Sequence, residues 1–104
     1  MPKFLITYYG GGGPPASPEA AQQMMAAFQA WAASVGDSMV DPGAPLGPSK
    51  VVTSDSVTDG AVSGGIGGYT VLTADSLDDA VGLVKGHPFV QRGGTLQVSE
   101  AVSP

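Results

Sequence analysis

Residues 69–88, Tyr-Thr-Val-Leu-Thr-Ala-Asp-Ser-Leu-Asp-Asp-Ala-Val-Gly-Leu-Val-Lys-Gly-His-Pro, change hydrophobic period part-way through. Tyr69 to Thr73 is a β-branched and aromatic run led in by glycines, which reads as a strand. Ser76 and Asp79 then stand at capping-box spacing. Leu77, Ala80, Val81 and Val84 recur at three- and four-residue steps, the stripe of a short helix that Gly86 and Pro88 bring to an end.

Upstream the same alternation of elements occurs once more. Lys3 to Tyr9 (KFLITYY) reads as a strand, with Phe4, Ile6 and Tyr8 on one face and Leu5, Thr7 and Tyr9 on the other. Neither face is polar enough for bare exposure, and the run closes at Gly10–Gly13 and Pro14-Pro15. Ser17-Pro18-Glu19 starts a helix, since Ser17 can accept from free amides, Pro18 suits the first helical position and Glu19 complements the dipole. Its apolar stripe is Ala21, Met24, Met25, Phe28, Trp31, Ala32 and Val35, with Gly36 as the stop. Trp31 is the expected core anchor, packed with Met24, Phe28 and Val35. The outer face (Gln22, Gln23, Ala26, Ala30, Ala33, Ser34) is uncharged and suits either a subunit contact or a plain alanine surface.

Between the two halves, Ser38 to Pro48 reads as an interrupted strand and turn, broken at Asp41-Pro42-Gly43 and Gly47-Pro48. Val51-Val52-Thr53 could pair in a sheet, and Thr58-Asp59-Gly60 marks a turn. At the end Leu96, Val98 and Val102 alternate with Thr95, Gln97 and Ser99, Glu100 being the one polar intruder on the apolar side. The order is β-α-β-β-α-β, so the expected fold is α+β and ferredoxin-like, one domain over residues 1–104. Two helices would cover one face of an antiparallel four-stranded sheet, leaving the other bare. Pairing of two bare faces into a homodimer is the economical way to cover it.

Composition narrows the function classes. The 104 residues are 42% hydrophobic and only 12% charged, with 16 glycines and nine prolines clustered between periodic segments, which argues against disorder. Absence of cysteine removes disulfides, thiolate metal sites and a cysteine nucleophile. A net charge of −5 with four scattered basic residues argues against a nucleic-acid partner. No apolar run is long enough for a membrane span, and the start goes straight into a strand pattern without signal-peptide design. The expectation is a small soluble cytoplasmic protein.

Residues able to carry chemistry are few. Gly10–Gly13 lacks a following Gly-Lys-Ser/Thr, and Gly65-Ile66-Gly67-Gly68 runs into a strand instead of a helix, so neither reads as a phosphate loop. Ser63 is not in a nucleophile-elbow pattern. His87, the single histidine, is the first acid–base candidate, although just after the second helix it would more simply cap carbonyls as a cation. In that role its replacement by Gln should cost little stability. Asp41 and Asp59 precede Pro and Gly, where Asp supports turns. No metal-ligand spacing is present and no cofactor is implied. The candidate ligand pocket is Tyr8, Met25, Asp41, Asp59, Tyr69 and His87, with a tyrosine orienting the ligand.

Taken in order, Val57-Thr58-Asp59-Gly60, Gly67-Gly68-Tyr69, Ala74 to Ala80, Gly86-His87-Pro88 and Gly93 to Val98 resemble the YCII-related proteins, most closely the branch named for an Asp-Gly-Pro-Phe motif. The resemblance implies a dimeric α/β barrel of ferredoxin-like protomers. It also implies some association with extracytoplasmic-function sigma factors and, among relatives, activity on small cyclic or aromatic compounds. Two departures accompany it. Asp59-Gly60 is followed by Ala61-Val62 instead of Pro-Phe. The family's helix-1 His falls near Met24 or Met25, and its Asp before the proline falls at His87. With neither half of that dyad present, a non-catalytic or ligand-sensing dimer ranks first, ahead of a lyase- or isomerase-like enzyme using His87 and a purely structural module.

Overall fold

The computed structural model describes residues 1–10, 15–62 and 65–103; most of the Gly10–Pro14 loop, together with Ser63 and Gly64, lies outside them. Strand β1 (Lys3–Tyr9) leads to helix α1 (Pro18–Val35), a short 3-10 turn, strand β2 (Met39–Pro45), a hairpin of β3 (Lys50–Val52) and β4 (Val57–Asp59), strand β5 (Gly68–Thr73), helices α2 (Leu77–Val84) and α3 (Pro88–Gln91), and strand β6 (Thr95–Ala101).

The main sheet has the order β2-β5-β1-β6 and is antiparallel throughout. With both long helices on one face, this is the expected ferredoxin-like arrangement. Helix signals operate as read: Ser17 accepts from the Ala20 amide and Ser76 from the Asp79 amide, both at 3.1 Å, and Gly36 ends α1 at φ 61°.

Two elements differ from expectation. Val57–Asp59 is a strand, and only Gly60 after it takes a turn conformation, at φ 102°. Beyond α2 the chain does not simply stop at Pro88, which instead opens the one-turn helix α3. Strand β2 is interrupted where the sequence is. Pro42 has no amide to give β5, Gly43 is left-handed at φ 74°, and the register shifts on either side of Asp41.

The register fixes the faces of the sheet. Phe4 opposes Leu72, Ile6 opposes Thr70 and Val98, and Tyr8 opposes Gly68 and Leu96, all toward the helices. Ile6, Trp31, Val35, Leu72 and Val84 form the main core, and Phe4, Ala74 and Ala80 a second cluster at the other end. Leu5, Thr7 and Tyr9 lie on the opposite face with Tyr69, Val71 and Asp41. No helix among the described residues is long and apolar enough to cross a membrane.

Candidate functional site

His87 lies under the sheet, 2% exposed as a residue, with its ring enclosed by Tyr8, Phe28 and Trp31 at centroid distances of 5.2, 5.7 and 4.3 Å. Its main chain is extended because Pro88 follows, and its amide reaches back to the Val84 carbonyl at 2.9 Å. The ring turns the other way. Nδ1 accepts the Phe89 amide at 2.9 Å, so the side chain caps the start of α3. The expected cationic cap on α2 is therefore not formed by this imidazole. Trp31 supplies a neutral donor there instead, giving Nε1–H to the Leu83 carbonyl at 2.9 Å, one of the carbonyls the helix end leaves free.

Donor and acceptor counting sets the remaining protons. An amide can only donate, so Nδ1 is bare and the neutral ring carries its proton on Nε2. Nε2 lies 2.8 Å from the Tyr8 hydroxyl, which lies 2.7 Å from Thr70 Oγ1, and Thr70 donates to the Pro42 carbonyl at 3.0 Å. A carbonyl can only accept, so the chain runs one way: Nε2–H to Tyr8, Tyr8 to Thr70, Thr70 to Pro42. It joins the start of α3 to the interrupted strand β2 through the middle of the core.

Burial, followed by the nearby Arg92 charge, lowers the His87 pKa to about 4. A proton added at Nδ1 would also displace the Phe89 amide. Burial raises the Tyr8 pKa, partly offset by its bond with Thr70. At neutral pH both groups are uncharged, and His87 has no free position at which to accept a proton. Tyr8 is the one side chain of the relay that is not fully enclosed.

Of the six residues named from sequence, only Tyr8 and His87 meet. Tyr69 opposes Thr7 and so lies on the opposite face of the sheet from His87. Asp41, paired with Val71, shares that open face and holds its own turn, accepting the Gly43 amide at 2.8 Å. Asp59 is on the hairpin, in an exposed ion pair with Lys50 at 2.6 Å. Met25 is 59% exposed and lies outside the core stripe; the helix-1 side chains that meet His87 are Phe28 and Trp31.

Thr70 and Phe89 were missed. Thr70 had a signal, being a hydroxyl on the face of β5 that also presents Leu72 to the core. Two open grooves flank α2, one of about 290 Å³ against β6 and one of about 640 Å³ against α1, and neither is lined by Tyr8 or His87. Among the described residues no three His, Asp or Glu side chains form a metal-ligating group.

No protein-family model matches the chain, and no curated protein matches it. Among solved structures it is similar to 5-chloro-2-hydroxyhydroquinone dehydrochlorinase (TftG) from Burkholderia phenoliruptrix AC1100, in complex with 2,5-dihydroxybenzoquinone. The identity is 21%, the match covers 91% of this chain and 90% of that one, and the TM-score is 0.52. At that identity the likeness is one of fold, and it agrees with the topology above.

Proposed function

We propose that this chain is a small cytoplasmic ligand-binding protein of the YCII-related kind, DGPF-type branch, homodimeric through its open sheet faces and without catalytic use of His87. The observation that carries the reading is the saturation of His87, whose nitrogens are both engaged inside the fold in a neutral ring. A general base needs a free lone pair within reach of substrate, and a buried ring with pKa about 4, Nδ1 held by the Phe89 amide and a proton on Nε2 lacks one. Binding would fall between the two open faces, on the side of Tyr9, Tyr69 and Asp41. A hydroxylated ring or quinone fits phenol and carboxylate partners, and the similar TftG structure holds such a molecule. An accessory role beside a sigma factor rests on the family resemblance alone.

One observation favours a second reading, a lyase- or isomerase-like enzyme acting on a small cyclic or aromatic compound: the similar structure is that of a dehydrochlorinase. Titration with 2,5-dihydroxybenzoquinone by calorimetry, alongside a chloride-release assay on chlorinated hydroquinones, separates the two. The expected result is saturable binding without chloride release, in wild type and His87→Gln alike. Turnover lost in His87→Gln while the quinone still binds would replace the first reading with the second.

A further inference from the structure

Strands β2 and β6 are the two edges of the main sheet, and they are finished differently. β2 carries Pro42 and Pro45 and shifts register on either side of Asp41, so it offers a further strand no continuous row of partners. β6 holds no proline, glycine or lysine and pairs with β1 in one unbroken register from Thr95 to Ala101.

The bonds at the ends of β1 show which groups of β6 are free. The Ala74 amide donates to the Pro2 carbonyl at 3.3 Å and the Gly67 amide to the Tyr8 carbonyl at 2.7 Å. Even-numbered residues of β1 thus turn their main chain to β5, and odd-numbered ones to β6. Opposite those odd positions stand Thr95, Gln97, Ser99 and Ala101. Leu96, Val98 and Glu100 therefore point amide and carbonyl away from the sheet, and among the described residues none of these groups has a partner.

A row of such groups is completed by another strand, and the groove between β6 and α2 sets which side chains that strand carries. Leu96 and Val98 line the groove with Leu77 and Val81, and Lys85 is its one charge. Lys85 is exposed and makes no ion pair among the described residues. The groove thus suits apolar side chains at alternate positions followed by a carboxylate. β6 has that pattern itself in Leu96, Val98 and Glu100, all on the helix side of the sheet opposite Tyr8, Ile6 and Phe4. Glu100, the polar intruder on that side, is also exposed and without an ion pair.

We infer that β6 pairs antiparallel with β6 of a second copy, in the register that sets Val98 against Val98. About the two-fold axis there, Leu96 meets the partner's Glu100 and Glu100 the partner's Leu96, so every outward residue forms a hydrogen-bonded pair. Sliding by two residues leaves one of the three on each strand unpaired. The centred register also sets the partner's Glu100 one strand spacing (~4.8 Å) from Leu96, beside Lys85, and does so twice by symmetry. The homodimer proposed above uses the face of Leu5, Thr7 and Tyr69, not this edge. One strand edge and one helix flank make a small contact, so the pairing shows as further association at rising concentration.

Sedimentation equilibrium and hydrogen exchange on the full chain test it, with Lys85→Glu, Glu100→Lys and the two combined. Both positions are exposed, so folding is spared. The expected wild type is a dimer that associates to a tetramer, with exchange at the Leu96, Val98 and Glu100 amides slowing over the same concentration range. Each single change should weaken that step about tenfold through two like-charge contacts, and the combination should restore it. A monomer that becomes a dimer with those three amides slowed keeps the edge pairing and removes the face-to-face dimer. A dimer at every concentration with the three amides fast overturns the edge pairing and leaves the face-to-face dimer standing; a monomer throughout overturns both. Single changes without effect, or a combination that restores nothing, overturn the pairing. So does slowing that comes only with an added peptide of alternating valine and glutamate, because the occupant is then not a second copy.

Discussion

Tyr8 Oη and His87 Nε2 are 2.8 Å apart, and the proton between them belongs to the imidazole, because Nδ1 is held by the Phe89 amide. The tyrosine proton is thereby directed to Thr70 and that of Thr70 to Pro42. The first acid–base candidate in the sequence is thus a hydrogen-bond donor, holding α3 onto the sheet.

His87→Gln should accordingly cost more than a lost helix cap. Glutamine has no rigid ring to fill the space between Tyr8, Phe28 and Trp31, and it leaves the Phe89 amide without its acceptor. A buried donor left unpaired costs about 1–3 kcal/mol, and the packing loss adds to it. Urea unfolding should show a loss of roughly 2–3 kcal/mol, with dimer mass and quinone affinity unchanged. The small loss expected of a surface cap would mean that the ring is not held as described.

The same ring fixes a pH dependence. Its folded pKa of about 4 lies below the ordinary value of 6.5, so the unfolded chain binds the proton more readily. Stability from this group is fully present above pH 6.5, falls as pH drops from 6.5 to 4, and changes no further below that. After allowance for partial screening the fall is on the order of 2 kcal/mol. Thermal melts at pH 7, 5.5 and 4 should show it in wild type and not in His87→Gln. An equal fall in both would place its origin in the carboxylates.

Much of this was readable in the sequence because it is local. Ser17, Ser76 and Gly36 cap helices through neighbours three or four residues away, and alternation along β1 and β5 assigns their faces. The site is not local. Tyr8, Thr70 and His87 are brought together by the pairing of β1 with β5 and the return of the chain after α2, neither of which leaves a spacing signal. Tyr8 and Tyr69 both stand as candidates to orient a ligand, yet Tyr8 pairs with Gly68 and Tyr69 with Thr7, so the pleat puts the two rings on opposite sides of the sheet. Which helix His87 caps is not legible, because Gly86 and Pro88 read equally well as the end of one helix and the approach to another.

Gly43 should tolerate no side chain. Its φ of 74° is left-handed, and a Cβ there would overlap the Tyr69 carbonyl of the paired strand. Relief requires β2 to move away from β5, taking the Pro42 carbonyl away from Thr70 and ending the relay. Gly43→Ala should lose at least about 2 kcal/mol, from the strained φ together with the broken bonds. Exchange at the Val71 and Tyr69 amides should quicken more than at β6; a silent substitution would show that the interruption in β2 can relax without cost.

Trp31 joins the core to the end of α2, and two substitutions separate its roles. The side chain is 5% exposed, lies against His87 and Phe28, and donates Nε1–H to the Leu83 carbonyl. Trp31→Ala removes the packing and the bond together, for an expected loss of about 3–5 kcal/mol, enough to prevent folded protein from accumulating. Trp31→Phe keeps most of the buried ring but leaves the Leu83 carbonyl without a partner, so its loss should be nearer 1–2 kcal/mol. As the chain has one tryptophan, its emission reports the site directly. It should be blue-shifted when folded and move to the red in the same transition that unfolds the sheet. Water-exposed emission in the native state, or a silent Trp31→Ala, would place the apolar stripe of α1 on the wrong face.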